Sequence, residues 1–349
     1  SNTMVNITIN PLDKSAQDQA SARQSELTKP AGSLGRLEDL SIQLSGIYGS
    51  HMYTIQNKMT VVAAGDHGVV EEGVSQFPQD VTAQMVLNFL SGGAAINVLS
   101  TKSQSGILVV DAGVKSELPD HDQLKKLKIR AGTNNFAKGA AMTRDEAGQT
   151  IENGINLAID LSQKGIDLLA CGEMGIGNTT SASAITSVIC KKTPEEVTGT
   201  GTGINKESLK LKIKTIEKSI ALNSPDPDDG VDVLSKVGGF EIGFLSGLML
   251  GAASQKIPII VDGFICAAAA LIASTIEPLV KGYMIGSHKS VEPGHIISLN
   301  HLGLQPLLDL NMRLGEGSGA ALAMPIIEAS MLCMTQMATF GEAGVSDDS

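Results

Sequence analysis

Three glycines lie within residues 172–180, Gly-Glu-Met-Gly-Ile-Gly-Asn-Thr-Thr, which follow the apolar run 166–171. An apolar run that ends in glycines and hydroxyl residues predicts a turn from a strand into a helix. Backbone N–H groups converge on an anion at such a helix N-terminus. The segment lacks the lysine of a nucleoside-triphosphate loop, and its glycine spacing is not that of the dinucleotide fingerprint. It predicts a cradle for a monophosphate, and the alternative is a tight turn that needs glycine only for its geometry.

A second glycine tract, residues 198–203, alternates threonine with glycine and so adds hydroxyl and N–H donors. The helix predicted after it, residues 205–222, carries several lysines, among them Lys212 and Lys214. One of these lysines would complete a phosphate site. A row of lysines on a helix is also typical of a solvated face, and the residues alone leave both interpretations open.

Glu316 stands between glycines in Leu-Gly-Glu-Gly-Ser-Gly at 314–319, immediately before a strongly apolar segment. Glycine lets the chain approach a ligand closely, and partial burial raises the pKa of a carboxylate toward the range useful for a general base. A carboxylate at a helix start is also stabilised by the helix dipole. General base and helix-start carboxylate therefore both remain possible interpretations of Glu316.

Three aspartates between 226 and 229 are the densest acidic cluster that could suggest a divalent metal. The cluster lacks calcium-loop spacing, so acidic capping of the following helix is the favoured interpretation. His67, His288 and His295 fall in predicted loops, but none has a partner at metal-ligand spacing. We therefore expect no metal and no cofactor.

The elements that position these residues alternate between strand and helix. Strands are predicted at 60–64, 107–111, 166–171, 257–262 and 283–286. Helices are predicted at 13–28, 34–48, 81–99, 144–164, 205–222, 243–255 and 318–337, with a capping box formed by Thr143 and Glu146. This alternation predicts an α/β fold with a doubly wound, mainly parallel sheet and helices on both faces, whose ligand lies beyond the carboxyl ends of the strands.

The domain organisation follows from where the strands begin and end. The first 50 residues contain helical patterns but no strand. We predict a large Rossmann-like catalytic domain at 55–305, and a smaller helical domain made of 4–54 together with 306–345.

Composition excludes several classes of protein. The net charge of −11 and the lack of a basic, aromatic-interleaved segment argue against nucleic acid as a partner. The apolar stretches 242–255 and 263–276 are shorter than the roughly 20 residues of a membrane-spanning helix, so no membrane segment is expected. The four cysteines are scattered in apolar surroundings, which favours buried thiols in a reducing, cytoplasmic compartment.

Taken together, these segments resemble the nicotinate-nucleotide:dimethylbenzimidazole phosphoribosyltransferases of cobamide lower-ligand assembly. The resemblance lies in an ordered set of motifs that spans about residues 11–337. The motifs are Lys-Pro-Ala-Gly-Ser-Leu-Gly-Arg-Leu-Glu at 29–38, Ala-Gly-Asp-His-Gly-Val at 64–69, Gly-Val-Ser at 73–75, Val-Thr-Ala-Gln-Met at 81–85, the glycine turn at 172–180, Gly-Thr-Gly-Thr-Gly at 199–203, Gly-Ser-His-Lys-Ser at 286–290 and Leu-Gly-Glu-Gly-Ser-Gly at 314–319.

The resemblance implies transfer of a phosphoribosyl group from nicotinate mononucleotide to 5,6-dimethylbenzimidazole, with inversion at the anomeric carbon. It implies Glu316 as the base that removes a proton from the acceptor. Glu173 is the candidate that stabilises positive charge on the ribose or contacts a ribose hydroxyl. The expected phosphate and ribose site comprises Gly175, Ile176, Gly177, Asn178, Thr179, Gly201, Gly203, Lys212, Lys214, Asp262 and Ser290. The expected acceptor pocket comprises Ser75, Phe77, Gln84, Met85, Leu314 and Gly315. A homodimer is implied by the same resemblance.

Two rival classes are less consistent with the residues. A nicotinamide-dependent oxidoreductase needs the dinucleotide glycine spacing after its first strand, and Gly-Asp-His-Gly at 65–68 does not supply it. A non-catalytic nucleotide-binding module would keep the phosphate turn but would have no need for Glu316. Release of free nicotinate from the two proposed substrates separates these possibilities.

Overall fold

The computed structural model describes residues 5–199 and 205–347, and a parallel β-sheet forms its centre. In these residues the sheet has six strands in the order β3-β2-β1-β4-β5-β6, and every neighbouring pair is parallel. The predicted α/β class is confirmed. The strands are β1 Lys58–Gly65, β2 Gly106–Gly113, β3 Leu124–Lys126, β4 Leu168–Met174, β5 Ile259–Val261 and β6 Met284–Gly286.

Helices pack on this sheet and extend beyond it. The α-helices are α1 Lys14–Glu26, α2 Arg36–Tyr48, α3 Asp80–Ser91, α4 Ala95–Lys102, α5 Arg144–Gln163, α6 Asn178–Cys190, α7 Pro194–Val197, α8 Lys206–Asn223, α9 Gly230–Val237, α10 Phe240–Ser254, α11 Phe264–Ile276, α12 Pro293–Leu302, α13 Ser318–Gln336 and α14 Phe340–Ala343. Two 3₁₀ turns cover Gly68–Glu72 and Pro278–Tyr283. The predicted capping box opens α5, because the Thr143 hydroxyl accepts from the Glu146 N–H and the Glu146 carboxylate accepts from the Thr143 N–H.

The strand order places a topological switch between β1 and β4. The chain leaves β1 toward β2 and β3 on one side, and it continues from β4 to β5 and β6 on the other side. Loops that leave the carboxyl ends of two such strands diverge and open a crevice, which is where open α/β sheets bind their ligands. Residues 65–68 and 172–180 therefore lie at the same edge of the sheet.

Small residues allow the α5 and α10 backbones to pack closely. A Cβ built on Gly247 would lie 1.9 Å from the carbonyl oxygen of Ile151, and one built on Gly154 would lie 2.0 Å from that of Phe244. Neither contact is physically possible, so glycine is required at both positions. A core with few aromatic residues is compatible with such short distances between layers.

The N- and C-terminal segments pack together. The Arg23 guanidinium donates to the Met334 carbonyl oxygen at 2.6 Å, and Leu27 forms an isolated bridge with Thr339. Helix α13 also contacts α4 and β4, so its packing is not confined to these terminal segments. The division into a large and a small domain remains a prediction.

Several elements differ from the sequence-based expectations. The helix predicted at 81–99 is two helices, α3 and α4, because Gly92 ends α3 in a left-handed conformation with φ +82°. Strand β3 was not predicted, and the last strand begins at Met284 rather than at 283. The first difference shows that a glycine pair overrode an otherwise continuous helical pattern.

Two local interpretations are resolved by the structure. Asp229 is the N-cap of α9, since its side chain accepts from the Asp232 N–H, as the capping interpretation predicted. All four cysteines are free thiols. Cys171 and Cys266 are buried, whereas Cys190 and Cys333 are only half-buried, so the prediction of uniformly buried thiols was wrong for the second pair.

Two helical segments have the length and apolar composition of a membrane span, namely Asp80–Lys102 and Ser318–Gln336. The sequence-based length argument concerned two other stretches, which form helices of 15 and 13 residues, α10 and α11. The Ser318–Gln336 helix packs against α2 and α4 inside the protein, which accounts for its apolar residues. The Asp80–Lys102 segment is interrupted at the bend between α3 and α4.

Candidate active site

A cleft opens at the carboxyl ends of the strands, at the switch between β1 and β4. It encloses about 1050 Å³ of empty space, including its solvent-filled mouth. Its walls come from the loop before α3, the β4–α6 turn, α8, the start of α11 and the segments around 288–292 and 313–315. The predicted site residues that line it are Ser75, Phe77, Glu173, Gly175, Ile176, Gly177, Asn178, Thr179, Lys212, Ser290, Leu314 and Gly315.

The predicted phosphate cradle is a tight turn between β4 and α6. Gly177 has φ +90°, a left-handed conformation that strains any residue with a side chain, and α6 begins at the next residue. The Ile176 N–H donates to the Thr82 hydroxyl at 3.1 Å, which ties the turn to α3. That N–H is therefore already bonded in this structure, and the turn presents its glycine backbone and the first turn of α6 to the cleft.

Lys212 is the lysine that reaches the turn. Its ammonium donates to the Thr179 hydroxyl at 2.8 Å, and burial lowers its pKa to about 8 although the charge of Glu292 opposes this shift. Lys214 is exposed and does not line the cleft. Gly201 and Gly203 lie outside the described residues.

Glu173 is buried at the end of β4 and faces the cleft. One of its oxygens accepts from the Asn178 side-chain amide at 2.9 Å, and the backbone N–H of Glu316 also donates to its carboxylate. Burial raises its pKa to about 8, since these hydrogen bonds offset only part of the desolvation. A carboxyl group in this environment carries little charge at neutral pH until a cation binds beside it.

Glu316 is only 4% exposed and lies in the left-handed region with φ +64°. Its carboxylate accepts from the Ile96 N–H at 3.4 Å, in the first turn of α4. Burial raises its pKa, although the Ile96 hydrogen bond acts in the opposite direction. The Glu316 side chain lies behind the cleft lining rather than within it, and it contacts the start of α4 rather than of α13.

Asp262 directly follows β5, and its side chain caps the start of α13. Its carboxylate accepts from the backbone N–H groups of Gly317, Gly319 and Ala320 at 3.0, 2.9 and 3.1 Å. The residue is buried and is not part of the cleft lining. Asp262 therefore holds the segment that carries Glu316, and its role in ribose binding stays a prediction.

The predicted acceptor residues divide into two groups. Phe77 and Leu314 stand at the cleft with 54% and 55% of their surface exposed, an unusual exposure for large apolar side chains. Gln84 and Met85 lie on α3, exposed and half-buried respectively, outside the lining of the cleft.

Four polar residues line the cleft that sequence reasoning did not assign to the site, namely Gln76, Arg313, His288 and Glu292. His288 is buried, and neither of its ring nitrogens has a hydrogen-bond partner within the described residues. Its position inside the Gly-Ser-His-Lys-Ser motif was a signal that could have identified it. Arg313 precedes Leu314 directly and offered no signal beyond its charge.

No group of three or more histidine, cysteine or acidic residues in 5–199 and 205–347 is arranged to hold a metal ion. Asp262 and His288 approach each other at 3.7 Å, and these two residues alone do not form a complete ligand set. The expected absence of a metal remains a prediction for experiment.

Comparison with known proteins identifies the family to which this cleft belongs. A family model described as phosphoribosyltransferase matches residues 9–345. A Chloroflexus aurantiacus relative named nicotinate-nucleotide–dimethylbenzimidazole phosphoribosyltransferase is 53% identical, with 97% of each chain covered. The chain belongs to this phosphoribosyltransferase family.

Other members of the phosphoribosyltransferase family match over similar lengths. A Geobacter metallireducens relative with the same name is 51% identical over 97% of this chain and 96% of its own. The crystal structure of the Thermus thermophilus family member superposes with a TM-score of 0.92 at 43% identity, covering 96% of this chain and 100% of that one. The resemblance inferred from the motifs is confirmed.

Proposed function

We propose that this protein transfers the 5-phosphoribosyl group of nicotinate mononucleotide to 5,6-dimethylbenzimidazole, giving nicotinate and α-ribazole 5′-phosphate in cobalamin nucleotide-loop assembly. The observation that carries the proposal is the near full-length similarity to relatives named for this reaction, at 53% identity. A cleft with a glycine turn, a buried lysine and two nearby carboxyl groups agrees with it.

The phosphate would bind at the β4–α6 turn. The Gly175 and Gly177 backbone, the Thr179 hydroxyl and the Lys212 ammonium line the cleft, as does Ser290, and Lys212 donates directly to Thr179. With a pKa of about 8, Lys212 is mostly protonated at neutral pH, and a bound phosphate dianion would raise that pKa further. The turn would thus fix one end of the donor by backbone donors and one buried cation.

Glu173 would act on the ribose. Nicotinate leaves from a pyridinium nitrogen, so the glycosidic bond is weakened before the acceptor attacks. As it breaks, positive charge develops on the ribose ring, and a carboxylate beside it stabilises the transition state more than the ground state. The Asn178 amide and the Glu316 N–H hold the Glu173 carboxyl in place for this interaction.

Glu316 would accept the acceptor's proton. Attack by one imidazole nitrogen makes the N–H of the other acidic, and a general base must remove that proton. The raised pKa of Glu316 suits a base, and its left-handed backbone, which costs a residue with a side chain about 1–2 kcal/mol, is consistent with a functional constraint. For proton transfer, the Glu316 carboxylate must give up its hydrogen bond from the Ile96 N–H and accept one from the N–H of the acceptor base.

The acceptor would lie between Phe77 and Leu314, with Ser75 and Gly315 at its edge. We also propose that the enzyme is a cytoplasmic homodimer with the large and small domains predicted from the sequence. The apolar side chains of Leu87 on α3 and Val98 on α4, exposed by 43% and 65%, support a contact of these helices with a partner. Light scattering of the purified protein measures its mass in solution.

The decisive assay mixes the protein with nicotinate mononucleotide and 5,6-dimethylbenzimidazole and follows both products by chromatography. The proposal expects nicotinate and α-ribazole 5′-phosphate in equal amounts. Omitting the acceptor is the control, since nicotinate released without acceptor would indicate hydrolysis. Failure to form the ribazole product would refute the proposal.

A further inference from the structure

A buried ion pair lies directly behind the phosphate turn. His67, two residues after β1, donates from Nε2 to the Glu241 carboxylate at 2.6 Å, and both side chains are fully buried. Glu241 belongs to the first turn of α10, so the pair joins two elements that are 174 residues apart. Neither residue lines the cleft, and neither has a role in the reaction derived above.

The Glu241 carboxylate packs against the backbone of Gly175. A Cβ built on Gly175 would lie 2.2 Å from Glu241 Oε2 and 2.4 Å from the Gly65 carbonyl oxygen. Because Gly175 lines the cleft on its other side, only the thickness of the main chain separates this carboxylate from the proposed phosphate position.

Glycine also makes room for the pair on its far side. A Cβ on Gly239 would approach His67 Cε1 to 2.3 Å and Glu241 Oε1 to 2.5 Å. Glycine is thus required at positions 175 and 239, where two separate chain segments contact the His67–Glu241 pair. His67 Nδ1 and Glu241 Oε1 have no hydrogen-bond partner within the described residues, so each of these side chains depends on the other.

The charge of this pair bears on any anion that binds at the turn. Glu292, Lys212 and Arg313 bring charges of both signs to the cleft lining, and Asp66 places a further carboxyl group next to His67 behind the turn. An uncompensated Glu241 carboxylate behind the turn would repel a phosphate in a poorly screened environment. Burial by itself lowers the pKa of the His67 imidazole, but the charge and hydrogen bond of the Glu241 carboxylate, together with the charge of Asp66, outweigh it and leave that pKa raised.

We propose that His67 is a positioning residue for donor binding: as an imidazolium paired with Glu241, it cancels the negative charge behind the phosphate turn and braces the Gly175 backbone. It touches no substrate and acts through Glu241 and the turn. The inference rests on the proposed function, because it assigns a phosphate to this turn.

The test is a double-mutant cycle on the full-length protein, with KM for nicotinate mononucleotide and kcat measured at saturating acceptor. His67→Gln leaves Glu241 unneutralised and is expected to raise KM at least tenfold, with kcat changed less than threefold. The double variant His67→Gln/Glu241→Gln has no charge at either position and is expected to return KM to within threefold of the wild-type value. Asp167→Asn, a buried acid at the opposite end of the sheet, is the matched control and should leave KM unchanged.

The outcomes are distinct. A purely structural role predicts that the double variant is at least as impaired as His67→Gln, and that result would overturn the proposal. Wild-type protein without any nicotinate release would instead refute the proposed function. In that case the affinities of the variants for ribose 5-phosphate can still be compared by titration calorimetry. Equal affinities of the wild type and His67→Gln would reject the inference independently of the proposed function.

A second measurement covers the case in which His67→Gln does not fold. Nitrogen-15 NMR of histidine-labelled protein at pH 7.5 should show one imidazole with both nitrogens protonated, and Glu241→Gln should convert that signal to the neutral form. Only neutral imidazoles in the wild type would overturn the proposal.

Discussion

Glu173 should release a proton when the donor binds. In the free protein burial raises its pKa to about 8, so the carboxyl is protonated at neutral pH. The donor brings a pyridinium cation to the cleft, and an opposite charge within about 4–6 Å lowers a carboxyl pKa by roughly 1–3 units. Binding should therefore convert Glu173 to the carboxylate that the transition state needs.

The size of this effect follows from the two pKa values. A group with a pKa of about 8 is roughly 90% protonated at pH 7 and about 10% protonated at pH 9. If binding lowers the pKa to about 6, the site releases about 0.8 proton at pH 7 and about 0.1 proton at pH 9. The release should thus fall steeply as pH rises through the pKa of the free protein.

Titration calorimetry measures this release when nicotinate mononucleotide is added, without acceptor, in two buffers of different ionisation enthalpy. Glu173→Gln is the control, because its amide mimics the protonated carboxyl and cannot ionise. The difference between wild type and Glu173→Gln isolates this group from the phosphate and from Lys212. Equal proton release by the two proteins at pH 7 would refute the reasoning.

Three further perturbations test the site. Glu316→Gln should lower kcat at least about 100-fold, the usual effect of losing a general base, with little change in the donor KM; unchanged turnover would remove Glu316 from the mechanism. Lys212→Met should raise the donor KM about tenfold or more, whereas Lys214→Met, its exposed neighbour, should not, and equal effects would contradict the assignment. Gly175→Ala should lower both the melting temperature and the donor affinity, because its methyl group would lie 2.2 Å from the Glu241 carboxylate. Gly139→Ala is the control for the glycine-to-alanine exchange, because nothing lies within 4 Å of the added methyl group, and its melting curve should match that of the wild type.

The sequence predicted the parts of the site that depend on local pattern. The turn at 172–180 was identifiable because its glycines follow an apolar strand directly, and the structure has that turn between β4 and α6. The order of strands and helices was sufficient to place it at the carboxyl edge of a parallel sheet.

Features set by packing between distant segments could not be predicted. Nothing in the sequence pairs His67 with Glu241, because the contact depends on how α10 meets β1. Both Lys212 and Lys214 were equally plausible until the rotation of α8 on α6 buried one of them. Strand β3 is three residues long at the sheet edge, too short for an alternating pattern to indicate it.

The close approach of α5 and α10 limits how this enzyme can be made more heat-resistant. Replacing helical glycines by alanine commonly stabilises proteins, because it reduces the conformational freedom of the unfolded chain. At Gly154 and Gly247 an added methyl group would meet a main-chain carbonyl at about 2 Å, so the same exchange would force the two helices apart. Stabilising substitutions should therefore avoid the interface between α5 and α10 and be made at solvent-facing positions of other helices.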